Sequence, residues 1–362
     1  MRIAFITGYF PILSQTFILD QITALLRRGH DIEIFAFIDP QEEVVHEEVQ
    51  QYALLRRTHY LEEDFTSLQA AAPFDLLHAH FGHRAAATIG LRDRLKIPFI
   101  ASFYGRDASA IPRQDPTFYQ EVFAKADAIT AISEDQKQDL LRLHCPAEKL
   151  EVQYVGIDLT KFPLVEREKR GGNLVLLSVG RFVEKKGYRY ALEAFARVLS
   201  FCPDLEYRII GYGPLQGDIE YEIKRLGLQE RVVLLGPQPQ QRVIAELQRA
   251  DLFLHPAVTA ANGDKEGVPS VLKEAQATGL PVVATYHAGI PELITSGYNG
   301  LLCAERDVDC LVEKLLLLLS QPGLRQEMGR KGRQVVVEKF RLERQIDQLE
   351  ALYSRVRERG VA

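Results

Sequence analysis

Short apolar runs alternate with amphipathic segments along almost the whole chain, and this alternation constrains the fold more than any other feature. The runs indicate buried strands, because they are short, rich in Val, Ile and Leu, and bounded by Gly, Pro or polar residues. The segments between them place apolar residues on one helical face. Strands that alternate with helices predict an α/β protein whose parallel sheets are covered by helices on both faces.

The alternation is interrupted once, at residues 157–172, where the run IDLTKFPLVEREKRGG is highly charged and ends in two glycines. Such a run predicts a linker. A chain of 362 residues is also too long for one ordinary core. We therefore predict a first domain over residues 1–156, the linker over 157–172, a second domain over 173–340 and a final helix within 341–362.

Composition excludes several classes of protein. The formal net charge of -5 argues against nucleic acid as the main partner, and no apolar run has the length of a transmembrane helix. The opening MRIAFITGYF lacks the pattern of a signal peptide. The cysteines Cys145, Cys202, Cys303 and Cys310 form no C-x-x-C pair and predict reduced thiols in a cytoplasmic protein, although Cys303 and Cys310 could pair or bind a metal.

The first half opens as a mononucleotide-binding unit. A strand over residues 2–8 is followed by Ser14, which can cap a helix over residues 15–28, and by a second strand over residues 31–38. Gly8, at the end of the first strand, would let a ligand approach the backbone closely. The alternative for Gly8 is an ordinary tight turn.

Two further strands of the first half, over residues 74–80 and 99–103, lead into the segments HAHFG and SFYGRD. Functional residues gather at the carboxyl ends of parallel strands, so these segments hold candidate substrate-binding residues. The candidates are His80, Tyr104 and Asp107. The alternatives are a structural histidine in the cluster His78, His80 and His83, and a solvated turn pair at Arg106 and Asp107.

The second half contains an acidic motif around a predicted helix that starts near Ser270. The first backbone N–H groups of a helix lack intrahelical partners, so those of Ser270 and Val271 could bind a diphosphate. Glu274, one turn into the helix, could accept hydrogen bonds from a ribose diol, and Glu266 precedes the helix where a sugar would rest. The alternative is a loop residue and a solvated helical face. The intervening residues Gly267, Val268 and Pro269 complete this candidate binding loop.

Two cations follow the first strand of the second half. Arg181 and Lys186 are five positions apart around a turn and can point to the same place, where they would stabilise charge on the phosphate oxygens of a leaving diphosphate. The alternative for Lys186 is a surface lysine. Gly211 and Gly213 form a loose glycine-rich turn without the spacing of a dinucleotide fingerprint, and we include both as candidate substrate-binding residues.

The whole chain resembles retaining glycosyltransferases of family 4. The most specific part is E-x-x-x-x-x-x-x-E from Glu266 to Glu274, within EGVPSVLKEAQATGLPVVAT, and the GR…KKG stretch from Gly180 to Gly187 is similar to the family's phosphate motif. HAGIPELITSGYNGLL resembles the stretch that follows the acidic motif in the family. YFPILSQTFI and HAHFG are similar to the branch that builds bacterial exopolysaccharides.

The resemblance implies a GT-B fold, which is two Rossmann-like parallel-sheet domains facing each other across a cleft, with the C-terminal helix crossing back to the first domain. It implies a metal-independent hexosyltransferase without a cofactor, in which Arg181 and Lys186 hold the diphosphate, Glu274 the ribose and Glu266 the sugar hydroxyls. Backbone from Val268 to Val271 would meet sugar and phosphate, and Gly8 would line the cleft.

The implied substrates are a nucleoside diphosphate sugar, with UDP-glucose favoured by its frequency in the family, and a saccharide or lipid-linked acceptor. The acceptor would be met at the inner face of the plasma membrane, by peripheral contact of a cytoplasmic enzyme. Two positions depart from the family pattern, because Tyr104 stands where many relatives have His and Gln15 where Glu is commoner. The run Asp307-Val308-Asp309 is interpreted as a helix cap and not as a metal site.

Three alternative functions stay open from the residues alone. A nucleotide-sugar epimerase of the same fold would need extra acid and base groups, which the histidines at 78–83 could supply. An NAD-dependent oxidoreductase on two Rossmann-like halves lacks the G-x-G-x-x-G fingerprint it would need. A catalytically inactive nucleotide-sugar binder would not require the intact set of Glu266, Arg181 and Lys186.

Overall fold

The chain forms two compact units in a computed structural model that describes residues 1–13, 15–41, 45–166 and 173–360. Unit 1 contains Met1–Gly156 and Leu342–Ala362, and unit 2 contains Ile157–Arg341. The predicted cap at Ser14 and the last part of the predicted linker, 167–172, lie outside the described residues.

Unit 1 is built on a parallel sheet that contains, among the described residues, seven strands in the order β3-β2-β1-β4-β5-β6-β7. The strands are β1 (Arg2–Tyr9), β2 (Asp31–Ile38), β3 (Thr58–Tyr60), β4 (Leu76–His80), β5 (Phe99–Phe103), β6 (Ala128–Ala131) and β7 (Leu150–Val152). The helices before the linker are α1 (Thr16–Arg27), α2 (Glu47–Gln51), α3 (Thr66–Ala71), α4 (Gly82–Thr88), α5 (Gly90–Leu95), α6 (Ala110–Gln114), α7 (Gln120–Lys125) and α8 (Glu134–Arg142).

Unit 2 repeats this plan with a parallel sheet in the order β10-β9-β8-β11-β12-β13, six strands within the described ranges. The strands are β8 (Val175–Val179), β9 (Glu206–Ile210), β10 (Val232–Gly236), β11 (Leu252–His255), β12 (Val282–Thr285) and β13 (Leu301–Cys303). The helices are α9 (Tyr188–Val198), α10 (Gln216–Arg225), α11 (Gln240–Arg249), α12 (Ser270–Ala277), α13 (Ile290–Leu293), α14 (Val308–Ser320) and α15 (Pro322–Lys339).

In both sheets the strand order reverses once. The reversal lies between β1 and β4 in unit 1 and between β8 and β11 in unit 2. At such a reversal the loops that leave the two neighbouring strands diverge to opposite faces of the sheet and leave a crevice at the carboxyl edge. The fold therefore predicts one ligand-binding edge in each unit, formed by the loops after these strands.

The last helix, α16 (Leu342–Gly360), returns to unit 1, which confirms the predicted crossing of the C-terminal helix. Its apolar stripe is buried in the same core as strands β1 and β2. The buried members are Leu342, Ile346, Leu349, Leu352, Tyr353 and Val356. Phe340, two residues before this helix, belongs to unit 2, where the Lys273 ammonium lies 5.7 Å from its ring.

A buried chain of hydrogen bonds also fixes α16 to the sheet of unit 1. The Tyr353 hydroxyl lies 2.7 Å from Nδ1 of His78, and Nε2 of His78 lies 2.7 Å from the Ser102 hydroxyl, which contacts Thr130 at 2.6 Å. His78 is fully buried, and burial lowers its pKa to about 3. This histidine is therefore neutral and structural.

The strands over 2–8, 31–38, 74–80 and 99–103 and the helix over 15–28 occur where the apolar runs indicate them, with ends that differ by at most two residues. The strands β3 and β13 were missed, because three residues are too few to show a period. The prediction of four reduced thiols was wrong for Cys303 and Cys310, which form a disulfide. Strand β13 ends at Cys303 and α14 begins at Val308, so a short turn brings the two Cα atoms to 5.7 Å.

Asp307 caps α14 as predicted, because its carboxylate accepts a hydrogen bond from the Cys310 N–H at 2.9 Å. Within the described part of the chain, no helix combines the length and the apolar character needed to cross a membrane.

Removing the buried side chain of Leu349 should destabilise unit 1. We expect Leu349→Ala to lower the free energy of unfolding by about 2–5 kcal/mol, the usual cost of truncating a buried leucine. Gln348→Ala, at the exposed neighbouring position, should change it by less than about 0.5 kcal/mol. Urea denaturation of both variants measures the difference, and equal effects would contradict the packing described for α16.

Candidate functional site

A tight turn after β8 carries the predicted cations to the carboxyl edge of the second sheet. The turn Glu184–Lys186 is a single 3₁₀ turn and ends at Gly187, which has a φ of 67°. A Cβ atom at Gly187 would overlap the carbonyl oxygen of Pro256, in the loop that follows β11. Glycine is therefore required both by the left-handed backbone and by this close approach. The turn brings Lys186 against the β11–α12 loop, at the reversal of strand order.

Lys186 forms a buried ion pair with Glu266 there. Its Nζ atom lies 3.0 Å from Glu266 Oε1, and the two side chains are only 14% and 10% exposed. Lys185 Nζ lies 3.8 Å from the same oxygen and 3.0 Å from Asp264 Oδ1. Two predicted site residues that are 80 positions apart in the sequence are therefore in direct contact.

Burial and the neighbouring charges of opposite sign shift the pKa values of Glu266 and Lys186 in opposite directions. Burial alone would raise the pKa of Glu266, but the ammonium groups of Lys186 and Lys185 outweigh it and hold that pKa well below its usual range. Burial lowers the pKa of Lys186, and Glu266 offsets part of the effect. His255, at the end of β11, is kept neutral, because burial and the nearby Lys186 lower its pKa to about 3. The Glu266 carboxylate is thus charged at neutral pH.

Glu266 is also held through its backbone. Its N–H donates to Nε2 of His287 at 3.0 Å, and Nδ1 of His287 lies 2.6 Å from Oε1 of Glu305. His287 is fully buried. Because Nε2 accepts, the ring proton is on Nδ1 and is donated to Glu305. Hydrogen bonds therefore link Glu305, in the loop after β13, through His287, in the loop after β12, to the backbone of Glu266.

The same carboxylate fixes the start of the β11–α12 loop. Glu305 accepts hydrogen bonds from the N–H and the hydroxyl of Thr259 at 2.9 and 3.1 Å, and Arg306 donates to the Thr259 carbonyl at 2.6 Å. Further along, the N–H of Ala261 donates to the Glu184 carboxylate at 3.0 Å. The loop is therefore held at both ends by side chains from the three neighbouring loops.

Arg181 lies close to this pair but is itself exposed, and its charge contributes to lowering the pKa of Lys186. It has no ion-pair partner among the residues that the structure describes. Gly211 and Gly213 follow β9 and pack against the Arg181 loop, since a Cβ at Gly213 would lie 2.7 Å from the Phe182 carbonyl oxygen. The two glycines therefore allow the loops after β8 and β9 to touch.

Helix α12 begins beside Glu266. Its first residues, Ser270 and Val271, are half-buried, and their N–H groups have no intrahelical acceptor because of their position. Glu274 is half-buried one turn further on. Gly267, Val268 and Pro269 are buried and connect Glu266 to the helix, with Pro269 immediately before the first helical residue instead of within it.

The candidates of unit 1 lie together at the carboxyl edge of the first sheet. Tyr104 is half-buried, and its hydroxyl lies 2.7 Å from Nδ1 of His80, which is fully buried. Asp107 is buried and accepts hydrogen bonds from the N–H groups of Gly82 and Tyr104 at 2.7 and 2.9 Å. Gly8 is buried at the end of β1. These contacts tie the loops after β4 and β5 to each other.

Sequence reasoning missed Glu184, Lys185, His255, His287 and Glu305. Each follows or ends a strand of unit 2 at its carboxyl edge, and that position was the available signal. His287 stands in the segment HAGIPEL, which supported the family resemblance without receiving a role. In the described ranges, His, Cys, Asp and Glu side chains form no group that could hold a metal ion.

Comparison with known proteins places two family models on the chain. The model for group 1 glycosyl transferases matches residues 164–335, and the model for glycosyltransferase family 4 matches residues 14–161. The amylovoran biosynthesis glycosyltransferase AmsK of Erwinia amylovora is 34% identical, over 89% of this chain and 91% of that protein. The putative colanic acid biosynthesis glycosyltransferase WcaL of Salmonella typhimurium is 32% identical, over 87% and 90%.

Solved structures share the fold at low identity. The crystal structure of Anabaena Alr3699/HepE in complex with UDP-glucose matches with a TM-score of 0.82 and 18% identity, over 98% of this chain and 99% of that chain. A likeness at this identity shows the fold, which is the predicted GT-B arrangement of two parallel α/β units.

Breaking the buried ion pair on one side should destabilise unit 2. We expect Glu266→Gln and Lys186→Met each to cost about 3–5 kcal/mol, because each leaves a buried charge without its nearest partner, and the double variant to recover part of this. Urea denaturation gives the coupling energy. The exposed pair Arg189–Glu193, 71% and 28% exposed, is a matched control, and Glu193→Gln should cost less than about 1 kcal/mol.

The sign of the pH dependence follows from the lowered pKa of Glu266. Its stabilising contribution is present above the unfolded-state value of about 4.3 and is lost as the pH falls toward the lower folded-state value. The difference between the parent chain and Glu266→Gln should therefore shrink below about pH 4. A difference that grows on acidification would contradict a charged Glu266.

Proposed function

We propose that this chain, which belongs to glycosyltransferase family 4, transfers a hexose from a nucleoside diphosphate sugar to a saccharide or lipid-linked acceptor in exopolysaccharide biosynthesis, with retention of configuration. The observation that carries the proposal is the buried contact between Lys186 and Glu266 at the strand-order reversal of unit 2. It combines a cation suited to a phosphate with a carboxylate suited to sugar hydroxyls at one point.

Cleavage of the sugar–phosphate bond moves negative charge onto the diphosphate. Lys186 is fixed by the turn before Gly187 and by its contact with Glu266, and Arg181 is exposed nearby without an ion-pair partner among the described residues. Both would bind the phosphate oxygens. The N–H groups of Ser270 and Val271 add donors at the start of α12. Donors that are already in place stabilise developing charge without reorganisation. A diphosphate is a weak base, so its departure needs no strong general acid.

The donor end of the site would be arranged around α12. Glu266 precedes the helix and would accept hydrogen bonds from sugar hydroxyls, while Glu274, one turn into the same helix, would accept those of the ribose diol. Gly267, Val268 and Pro269, which are buried between them, would bring the backbone close to the ligand. UDP-glucose is our favoured donor, and the Anabaena structure with UDP-glucose supports this choice.

The acceptor would bind at the carboxyl edge of unit 1, where Gly8, His80, Tyr104 and Asp107 lie. The relatives named for amylovoran and colanic acid biosynthesis support a growing saccharide as its class. We propose that the enzyme works in the cytoplasm and meets a lipid-linked acceptor by peripheral contact with the inner face of the plasma membrane.

A panel of nucleoside diphosphate sugars tests the function. We expect UDP-glucose to give the fastest release of nucleoside diphosphate, with a sugar product of the same anomeric configuration as the donor. A sugar inverted at another carbon while still attached to the nucleotide would indicate an epimerase. Binding without any release of diphosphate, with or without saccharide acceptors, would indicate a nucleotide-sugar binder and overturn the proposal.

Arg181→Ala and Lys186→Ala should each slow turnover strongly. Loss of one charge-stabilising donor costs about 2.7–4 kcal/mol of barrier, so kcat should fall roughly 100- to 1000-fold. Arg189→Ala, an exposed arginine on the neighbouring helix α9, is the control and should stay within about twofold of the parent. Near-parental rates for both variants in a donor-hydrolysis assay would remove these residues from the reaction.

Two substitutions of His287 distinguish a role in positioning Glu266 from a role in stability alone. Gln can present an acceptor where Nε2 lies, toward the Glu266 N–H, whereas Asn can present only the donor toward Glu305. We expect His287→Asn to lower kcat roughly 100-fold through displacement of Glu266, and His287→Gln to lower it less. Losses of activity that are equal in both variants and follow their unfolding midpoints would assign His287 a structural role alone.

A further inference from the structure

The Arg84 side chain extends over the carboxyl edge of the first sheet. Helix α4, which carries it, follows β4 directly. The guanidinium carbon lies 4.5 Å from the centre of the Phe37 ring, near the end of β2. A Cβ atom at Gly8, near the end of β1, would lie 3.2 Å from Arg84 Nε. Arg84 therefore reaches from the helix after β4 over the ends of β1 and β2, across the reversal of strand order between β1 and β4.

This guanidinium lacks a counter-charge in the described part of unit 1. Its Nε atom is buried and has no hydrogen-bond acceptor there. Arg92, on the neighbouring helix, shows the usual arrangement, with two hydrogen bonds of 2.8 and 2.6 Å to the Asp127 carboxylate. A half-buried cation loses hydration that only a partner can replace, so an unpaired arginine at a ligand-binding edge indicates that the partner is a ligand.

Two more nitrogen groups without acceptors lie beside Arg84. His83 Nδ1 is buried and has no partner among the described residues, and Arg106, after β5, is exposed. The loop that carries Arg106 lies beside the start of α4, because Asp107 accepts a hydrogen bond from the Gly82 N–H at 2.7 Å. Burial lowers the pKa of His83 to about 4, and the charges of Arg84 and Arg106 add to the effect. At the strand ends below, Thr7 Oγ1 and His80 Nε2 are buried without partners as well.

We propose that Arg84, His83 and Arg106 form an anion subsite above Gly8 that holds a phosphate or carboxylate group of the acceptor. The planar guanidinium fork of Arg84 matches either group with two parallel hydrogen bonds. Gly8 leaves the guanidinium in place, since any side chain there would press on it. The assignment to the acceptor rests on the proposed function, in which the donor diphosphate has its own cations in Arg181 and Lys186.

Inorganic phosphate, titrated calorimetrically into the full chain with saturating UDP, tests the subsite. UDP occupies the site for the donor diphosphate, so any phosphate that still binds must occupy a different site. We expect one phosphate per chain in the parent, and an affinity at least about tenfold lower in Arg84→Gln, the effect of losing one charge-assisted hydrogen bond. Arg84→Lys keeps the positive charge but loses the planar guanidinium, so its phosphate affinity should lie between those of the parent and Arg84→Gln.

Arg94→Gln is the matched control, because Arg94 also lies over an aromatic ring, 5.9 Å from Phe65, but is exposed on α5. It should bind phosphate like the parent. An unchanged unfolding midpoint and an unchanged UDP affinity in Arg84→Gln show that the variant is folded.

Each other result overturns the proposal. If phosphate binds only without UDP and still depends on Arg84, the arginine holds the donor diphosphate and not the acceptor. If Arg84→Gln binds phosphate like the parent, the subsite does not exist. The titration involves no turnover, so a failure here is distinct from a failure of the proposed transferase activity, which the donor panel measures.

Discussion

The ion pair between Lys186 and Glu266 is the interaction on which the arrangement of unit 2 depends. A buried charge is tolerated only with a partner, so the turn after β8 and the loop before α12 have to stay in register. The surrounding contacts serve that requirement: Gly187 allows the close approach, and His287 and Glu305 hold the backbone of the acidic loop. A ligand whose phosphate group bound Lys186 and whose hydroxyl groups bound Glu266 would find both side chains already oriented.

The two units share one topological feature, a single reversal of strand order, but the charges around it differ. Each sheet reverses its strand order once, and each reversal gathers polar groups from loops that are distant in sequence. In unit 2 the gathered groups neutralise one another, since cations and carboxylates alternate. In unit 1 the groups near Arg84 include nitrogens of Arg84 and His83 that have no acceptor among the described residues. The same backbone plan therefore carries paired charges in one unit and, in the other, an arginine without a counter-charge among the described residues.

The sequence was sufficient for the parallel sheets, because these follow from local periodicity. The family resemblance supplied the return of the last helix. The sequence was insufficient for features that depend on contacts between residues distant in the sequence. The link from Glu305 through His287 to Glu266 joins loops that follow different strands, and one of those strands, β13, is too short to show a pattern. Nothing local distinguishes the unpaired Arg84 from the paired Arg92.

The return of α16 has a consequence for how the protein is made. Unit 2 is one continuous segment, whereas unit 1 is completed only by residues that follow it. At ~5–20 residues per second, the ribosome needs roughly 10–40 s to add unit 2 after the last residue of the first segment has been joined. During that interval the apolar surface that will receive Leu349 and Tyr353 is uncovered. The unit that begins the nascent chain is thus the later one to be completed.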